Sequence, residues 1–192
     1  MSTPIIHLKA ELTTELDNIL EYWSKHTIDQ KNGGFIGQID CNEYKNFEAE
    51  KGSVLNARIL WSFSAAYPIT KNEEHKHFAK EAFEYIINHF YDSEFGGIFW
   101  SINPDKTPKD TKNQIYALAF TIYGMSEYYA ISKDEKALEY SILLYKKIQK
   151  YSYDPIHKGY FEAFTRDWQP IEDLRLSDKD ANEKKTMNTH LH

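Results

Sequence analysis

A repeated turn constrains this sequence more than any other feature. An aspartate is followed four to five residues later by glycine and then by an aromatic or β-branched residue, and this pattern begins at Asp29, Asp92 and Asp154. The three starts lie 63 and 62 residues apart. Glycine allows the left-handed backbone of a tight turn, and the residues after it favour a short strand. A fixed period of this size indicates a stacked or circular array of helical hairpins.

Apolar residues at helical spacing predict the helices of this array. The predicted helices cover about residues 5–26, 51–67, 72–90, 112–130 and 133–151, and a sixth opens near Lys184. Each unit is therefore a helix, a turn with a short strand pair, and a second helix. This organisation predicts an all-α fold with short β-hairpin loops, and residues 1–192 are predicted to form a single domain.

Three such units fill the chain, and the third ends inside its second helix at His192. A helix that stops without a capping glycine or a partner unit is an unusual end for a domain. The pattern therefore predicts that the chain is about half of a larger array. The alternative is a short open solenoid whose last helix acts as a cap.

Composition narrows the range of functions. Lys+Arg 23 against Asp+Glu 29 gives a net charge of −6 without a basic run, which argues against a nucleic-acid partner. Cys41 is the single cysteine, so an internal disulfide or a thiolate zinc cluster is excluded. The N-terminal residues lack a signal-peptide pattern, and the sequence lacks an apolar run of about 18 residues. We therefore predict a cytoplasmic protein without a membrane partner; the sequence does not determine the oligomeric state.

Candidate site residues emerge when the second helix of each unit is aligned by its lysine. The aligned lysines are Lys51, Lys112 and Lys185. Arg58 and His192 then share the slot seven residues after the lysine, and the starts of such inner helices converge on a central cavity in a circular array. Asn188 lies one helical turn before His192, and Tyr116 lies one turn before the corresponding slot of the second unit.

Arg58 stands in an otherwise apolar stretch, so its guanidinium needs either a ligand oxygen or an acidic partner such as Glu48 or Glu50. Residues 165–184 carry many charges and are predicted to form a long exposed loop, in which Trp168 is a candidate sugar-stacking residue.

Metal and cofactor motifs are missing from the sequence. His190 and His192 point away from each other on a helix, and there is no H-E-x-x-H, P-loop, nucleophile elbow or G-x-G-x-x-G pattern. We therefore expect neither a metal nor a cofactor. Acidic residues are plentiful, but no pair of them stands out as the two carboxylates of a glycoside hydrolase.

Several of these segments together resemble the N-acylglucosamine 2-epimerase superfamily, and within it most of all the cellobiose 2-epimerase family. The segments are Lys184-Lys185-Thr186-Met187-Asn188-Thr189-His190-Leu191-His192, the Gly33-Gly34-Phe35 turn, Asn56-Ala57-Arg58, and Tyr116-Ala117-Leu118-Ala119-Phe120 with Tyr123 to Tyr129. The resemblance extends over essentially the whole chain, and its most specific part is Met187 to His192.

The resemblance implies an (α/α)6 barrel, of which this chain would be the N-terminal half. It also implies reversible epimerisation at C2 of the reducing-end sugar of cellobiose and related β-1,4-linked disaccharides, through ring opening and a cis-enediolate. Arg58 would donate to the enediolate oxygens, while Tyr116, Asn188 and His192 would surround the open-chain sugar. The two proton-transferring histidines of the family lie in its second half, so the chain alone is expected to be inactive.

Other functions remain open from the sequence. Within the same fold, the substrate could be a monosaccharide, as for an N-acylglucosamine 2-epimerase or a mannose or ketose isomerase. An (α/α)6 glycoside hydrolase would place carboxylates at the inner-helix slots, which Arg58, Asn188 and His192 disfavour. A non-catalytic helical-repeat module that binds carbohydrate is the alternative from a different class.

Overall fold

The computed structural model describes residues 3–191, with side chains from residue 5 onward. The helices are α1 (Thr3–His26), α2 (Ser53–Thr70), α3 (Glu73–Tyr85), α4 (Ile115–Ser132), α5 (Glu135–Lys147) and α6 (Met187–Leu191). Short π-helical turns, Ile86–Phe90 and Ile148–Ser152, extend α3 and α5. All six predicted helices are confirmed, and their starts differ from the prediction by no more than a few residues.

Local signals that recur with the repeat explain where the hairpins turn. Lys71 and Lys133 end α2 and α4 in the left-handed conformation, with φ of 56° and 57°. The side chains of Asn72 and Asp134 then cap α3 and α5 by accepting a hydrogen bond from the second residue of each helix. Such side chains satisfy backbone N–H groups that the first helical turn leaves unpaired. Both hairpins are therefore closed by the same pair of caps.

Short antiparallel strands connect the units. They are β1 (Gln38–Ile39), β2 (Lys45–Asn46), β3 (Lys51–Gly52), β4 (Ser101–Ile102), β5 (Pro108–Asp110), β6 (Asn113–Gln114) and β7 (Ala163–Phe164). β1 pairs with β2, β4 lies between β3 and β5, and β6 pairs with β7. Because β3 and β6 occupy the residues just before α2 and α4, these helices begin two to three residues later than the sequence pattern predicted.

The same backbone hydrogen bond, from the aspartate N–H to the carbonyl oxygen of the last glycine, closes the repeated turn in all three units. In the first, Asp29 N donates to Gly34 O at 2.9 Å and Gly33 N donates to Asp29 O at 2.8 Å. Single antiparallel bridges close the three turns, pairing Ile28 with Phe35, Tyr91 with Ile98, and Tyr153 with Tyr160. In the third turn Lys158 replaces the first glycine and adopts a φ of 62°. The predicted hairpin at each repeat is therefore confirmed.

The inner helices α2 and α4 pack directly against each other, while α3 and α5 cover them from outside. Gly124 makes the close approach possible, because a Cβ at this position would lie 2.7 Å from the carbonyl oxygen of Ala57. Leu60, Phe63, Leu118 and Met125 fill the shared core and are almost completely buried. The predicted array of helical hairpins is thus confirmed, with the N-terminal ends of α2 and α4 side by side.

None of the helices within residues 3–191 is both long enough and apolar enough to cross a membrane.

Candidate functional site

An aromatic ring joins two of the candidate residues at the start of the inner helices. The guanidinium carbon of Arg58, on α2, lies 5.1 Å from the ring centre of Phe120, on α4. That ring lies 4.9 Å from the ring of Tyr116, one turn earlier on α4. Phe120 is buried and Tyr116 half-buried. Arg58 and Tyr116 therefore both contact Phe120, at the boundary between the first two units.

Of the two environments expected for Arg58, a ligand oxygen or an acidic partner, the described residues do not supply the acidic partner. Its side chain is exposed, and it lines an apolar groove between α1 and α2 beside Leu20 and Trp23. The two expected acids have other partners: Glu48 binds Lys31, and Glu50 binds Lys109. Within the described residues Arg58 forms no salt bridge, so its N–H donors remain available for oxygen atoms of a ligand.

The third inner helix begins at α6, which contacts α4. Asn188 is exposed near its start, and Thr189 is buried. His192, the predicted partner of Asn188, lies outside the described residues. His190 is engaged locally, because its Nε2 accepts a hydrogen bond from Tyr160 N at 2.9 Å and its Nδ1 lies 2.6 Å from Thr186 O. A neutral imidazole protonated on Nδ1 satisfies both contacts, which gives His190 a structural role.

Trp168 does not belong to this cluster, and the expectation of an exposed stacking residue is wrong. Its side chain is buried, its ring stacks on Tyr151 with centres 4.7 Å apart, and its Nε1 donates to Gly96 O at 2.7 Å. Trp168 has a φ of 67° at the end of a tight turn that begins at Thr165. It therefore anchors the loop after β7 to the repeated turn of the second unit.

Three buried aspartates each bind a cation, one in every repeated turn. The pairs are Asp29 with Lys51 at 2.7 Å, Asp92 with Arg166 at 2.7 Å, and Asp154 with Lys185 at 2.6 Å. Lys51 and Lys185 are two of the lysines that aligned the inner helices, so these two units share the pairing. In the second unit Arg166 takes this role, and Lys112 instead donates to Arg175 O at 3.1 Å.

Hydrogen bonds keep these carboxyl groups ionised. Burial raises the pKa of Asp29, but hydrogen bonds from Lys51 and Asn32 outweigh burial and hold the pKa below its usual value. The hydrogen bond from Lys185, together with backbone N–H groups of the turn, lowers the pKa of Asp154 to about 2. The turns before the inner helices are therefore fixed by charged pairs over the whole neutral range.

Sequence reasoning missed Glu162, which is 1% exposed and binds the start of α6 through both carboxylate oxygens. A lone acid before a two-residue strand gives no sequence signal, because its partners lie more than twenty residues away. For metals, no three His, Cys, Asp or Glu side chains within residues 3–191 are grouped as ligands. Among the candidate residues, Arg58 presents N–H donors that suit oxygen atoms of a ligand.

Comparison with known proteins identifies relatives. Residues 34–180 match the family model of N-acylglucosamine 2-epimerase. The chain is 53% identical over 186 residues to the cellobiose 2-epimerase of Bacteroides fragilis, a match covering 96% of this chain and 47% of that protein. The structure of cellobiose 2-epimerase from Spirochaeta thermophila superposes with a TM-score of 0.90 at 34% identity, covering 98% of this chain and 47% of that one.

The chain thus spans about half the length of the relatives it matches, and its three units correspond to the N-terminal half of their (α/α)6 barrel. A more distant likeness, to a glycoside hydrolase family 76 mannosidase from Bacteroides thetaiotaomicron, has a TM-score of 0.66 at 16% identity and covers 80% of this chain and 40% of that one. At this identity the likeness concerns the fold alone.

Proposed function

Because the chain belongs to the N-acylglucosamine 2-epimerase family, we propose that it supplies one half of a site that epimerises a sugar at C2. The substrate we propose is the reducing-end glucose of cellobiose and related β-1,4-linked disaccharides. The observation that carries this proposal is the exposed guanidinium of Arg58, held next to Tyr116 by the ring of Phe120. A cation with free donors suits oxygen atoms on which negative charge develops.

The proposed reaction opens the sugar ring, removes the C2 proton, forms a cis-enediolate, and returns a proton to the opposite face. Such a reaction needs fixed donors at O1 and O2, because charge on these oxygens rises on the way to the enediolate. Arg58 fills that role in our proposal, while Tyr116, Asn188 and His192 surround the open chain. An arginine fits because it stays protonated and presents several donors in one plane.

The reaction also needs two groups that exchange protons near neutral pH, one on each face of C2. We propose that both are histidines outside this sequence, in the part of the relatives that the chain does not match. His190 is committed to Tyr160 and Thr186 and so does not serve this purpose. The 192-residue chain alone is therefore proposed to bind the sugar weakly and not to turn it over.

Proton NMR of cellobiose in D2O tests this proposal. The chain is joined to the part of the Bacteroides fragilis enzyme that it does not match, and compared with the chain alone. We expect deuterium at C2 and a new mannose-type reducing end with the joined protein only. An Arg58→Gln variant of it should lose at least about a hundredfold in kcat, the usual cost of removing one oxyanion donor.

Three other outcomes of this experiment would change the proposal. Turnover by the chain alone would contradict the half-site. Exchange with N-acetylglucosamine or mannose, but not with cellobiose, would move the substrate to a monosaccharide. Binding of sugar without exchange for any of the three would favour a non-catalytic carbohydrate-binding module.

A further inference from the structure

Glu162 stands at the junction of the two inner helices that carry Tyr116 and Asn188. It directly precedes β7 and is 1% exposed. Its backbone oxygen accepts a hydrogen bond from Ile115 N, the first residue of α4, at 2.9 Å. Its backbone N–H donates to Lys184 O at 3.1 Å. The main chain of one residue thus ties the start of α4 to the segment that leads into α6.

The side chain of Glu162 binds the start of α6 twice. Oε1 accepts a hydrogen bond from the backbone N–H of Thr186, and Oε2 accepts one from the hydroxyl of Thr189 at 2.6 Å. These two residues flank Asn188 and lie on either side of the first turn of the helix. Because one carboxylate bridges both positions, it fixes the rotation of this turn as well as its place.

The described part of α6, Met187–Leu191, follows a long loop. The loop before it runs from Thr165 to Thr186 and has no helix of its own. The carboxylate of Glu162 therefore links the start of α6, next to Asn188, to the residue whose main chain bonds to the start of α4.

Two other contacts hold the same segment but act elsewhere. Lys185 binds Asp154 and the carbonyl oxygen of Lys158, and His190 binds Tyr160 N. Both contacts join the segment to the third repeated turn. Glu162 differs from them because it also bonds to the start of α4, where Tyr116 lies.

We propose that Glu162 is a positioning residue of the sugar site, which sets the place of Asn188 relative to Tyr116 through its two bonds to Thr186 and Thr189. This inference rests on the proposed function for its effect on catalysis. Its structural content, the coupling of Glu162 to the start of α6, stands independently of the substrate. A shift of about 1 Å in a substrate-positioning group can cost about a hundredfold in rate.

The first test uses the 192-residue chain and requires no activity. Glu162→Ala and Thr189→Val are compared by NMR with Glu172→Ala, which removes an exposed glutamate of the preceding loop. We expect both test variants to shift the backbone and side-chain amide resonances of Asn188 and to speed hydrogen exchange at Thr186 N, while Glu172→Ala leaves them unchanged. Unchanged Asn188 resonances in folded Glu162→Ala would overturn the proposal.

The second test measures cellobiose epimerisation by the joined protein well below its melting temperature. Glu162→Ala should lower kcat/KM by at least about tenfold, whereas Glu162→Gln, which retains an acceptor for Thr186 N and a polar group for Thr189, should recover most of it. Adding Thr189→Val to Glu162→Ala should cause little further loss, since both changes break the same contact. Full activity in Glu162→Ala, or additive losses in the double variant, would overturn the proposal.

The outcomes also separate this inference from the proposed function. If Glu162→Ala fails to fold, Glu162→Gln and Thr189→Val still decide the matter, because each keeps the volume of the side chain it replaces. If the unsubstituted joined protein shows no exchange, the proposed function fails. Unchanged Asn188 resonances in the first test would still be evidence against the anchor, whatever the activity of the joined protein.

Discussion

Replacing Lys51 by methionine should destabilise the protein by about 3 kcal/mol, at the lower end of the usual cost of breaking a buried ion pair. The side chains of Lys51 and Asp29 are 1% and 0% exposed, and Nζ lies 2.7 Å from Oδ2. Nζ also donates to Gly33 O at 2.5 Å. The lower end applies because the Asp29 carboxylate keeps three other N–H donors, from Lys31 and Asn32.

Thermal unfolding followed by far-UV circular dichroism measures the effect. For a chain of this length, a loss of about 3 kcal/mol lowers Tm by about 6–12 °C. Lys31→Met is the matched control, because the Lys31–Glu48 pair on the same turn is 62% and 74% exposed and should contribute less than about 1 kcal/mol. Combining Lys51→Met with Asp29→Asn should recover part of the loss, since no buried charge is then left unpaired.

The dependence on pH identifies the ion pair as the cause. The folded-state pKa of Asp29 lies below its usual value, so the stability from this carboxylate is present above the unfolded pKa of about 3.9 and is lost as the pH falls through the folded value. The difference in the free energy of unfolding between the original chain and Lys51→Met should therefore become smaller at acid pH. A loss below about 1 kcal/mol at neutral pH, or a loss equal at acid and neutral pH, would refute this reasoning.

Three further changes probe packing elsewhere in the chain. Gly124→Ala should destabilise the protein by about 1–3 kcal/mol in chemical unfolding, because its Cβ would meet the carbonyl oxygen of Ala57 at 2.7 Å; a neutral effect would contradict the close helix approach. Burial raises the pKa of Tyr85 to about 12, and within the described residues its hydroxyl has no hydrogen-bond partner, so Tyr85→Phe should not destabilise the protein. That variant should also remove part of the stability loss seen above pH 10, where the phenol ionises only after unfolding. Trp168→Phe should cost about 1 kcal/mol through its lost bond to Gly96 O and leave the KM of the joined protein for cellobiose unchanged; a raised KM would restore Trp168 as a sugar contact.

Repeat spacing and helical periodicity predicted the fold because both act locally. The turn at Asp29 needs a carboxylate for its own backbone N–H groups and glycine at positive φ, and the sequence shows both requirements within six residues. Lys51 and Lys185, which align the inner helices, also bind the aspartate of their own unit, a pairing that was not predicted. In these cases the partners are set by the repeat itself.

The burial of Trp168 and the surroundings of Arg58 depend on contacts between elements that lie apart along the chain. The residues around Trp168 have the composition of an exposed loop. Its ring nevertheless packs on Tyr151 and donates a hydrogen bond to Gly96 O, and neither residue is a sequence neighbour of Trp168. Arg58 has apolar neighbours in sequence, yet its exposure is decided by what lies across the groove between α1 and α2. Sequence neighbours do not report such contacts, because burial depends on which elements meet in space.

The ion pairs that stabilise the turns also hold the chain near the proposed sugar contacts. Lys51 lies seven residues before Arg58, and Lys185 lies three residues before Asn188, so each pair fixes the chain within two helical turns of a proposed sugar contact. Arg166 departs from this pattern because it reaches from the third unit back to Asp92 in the second. The second and third units are therefore held together by a charged pair, in addition to the pairing of β6 with β7. Breaking the Asp92–Arg166 pair should therefore disturb the position of α6, in the third unit, more than that of α2, in the first unit.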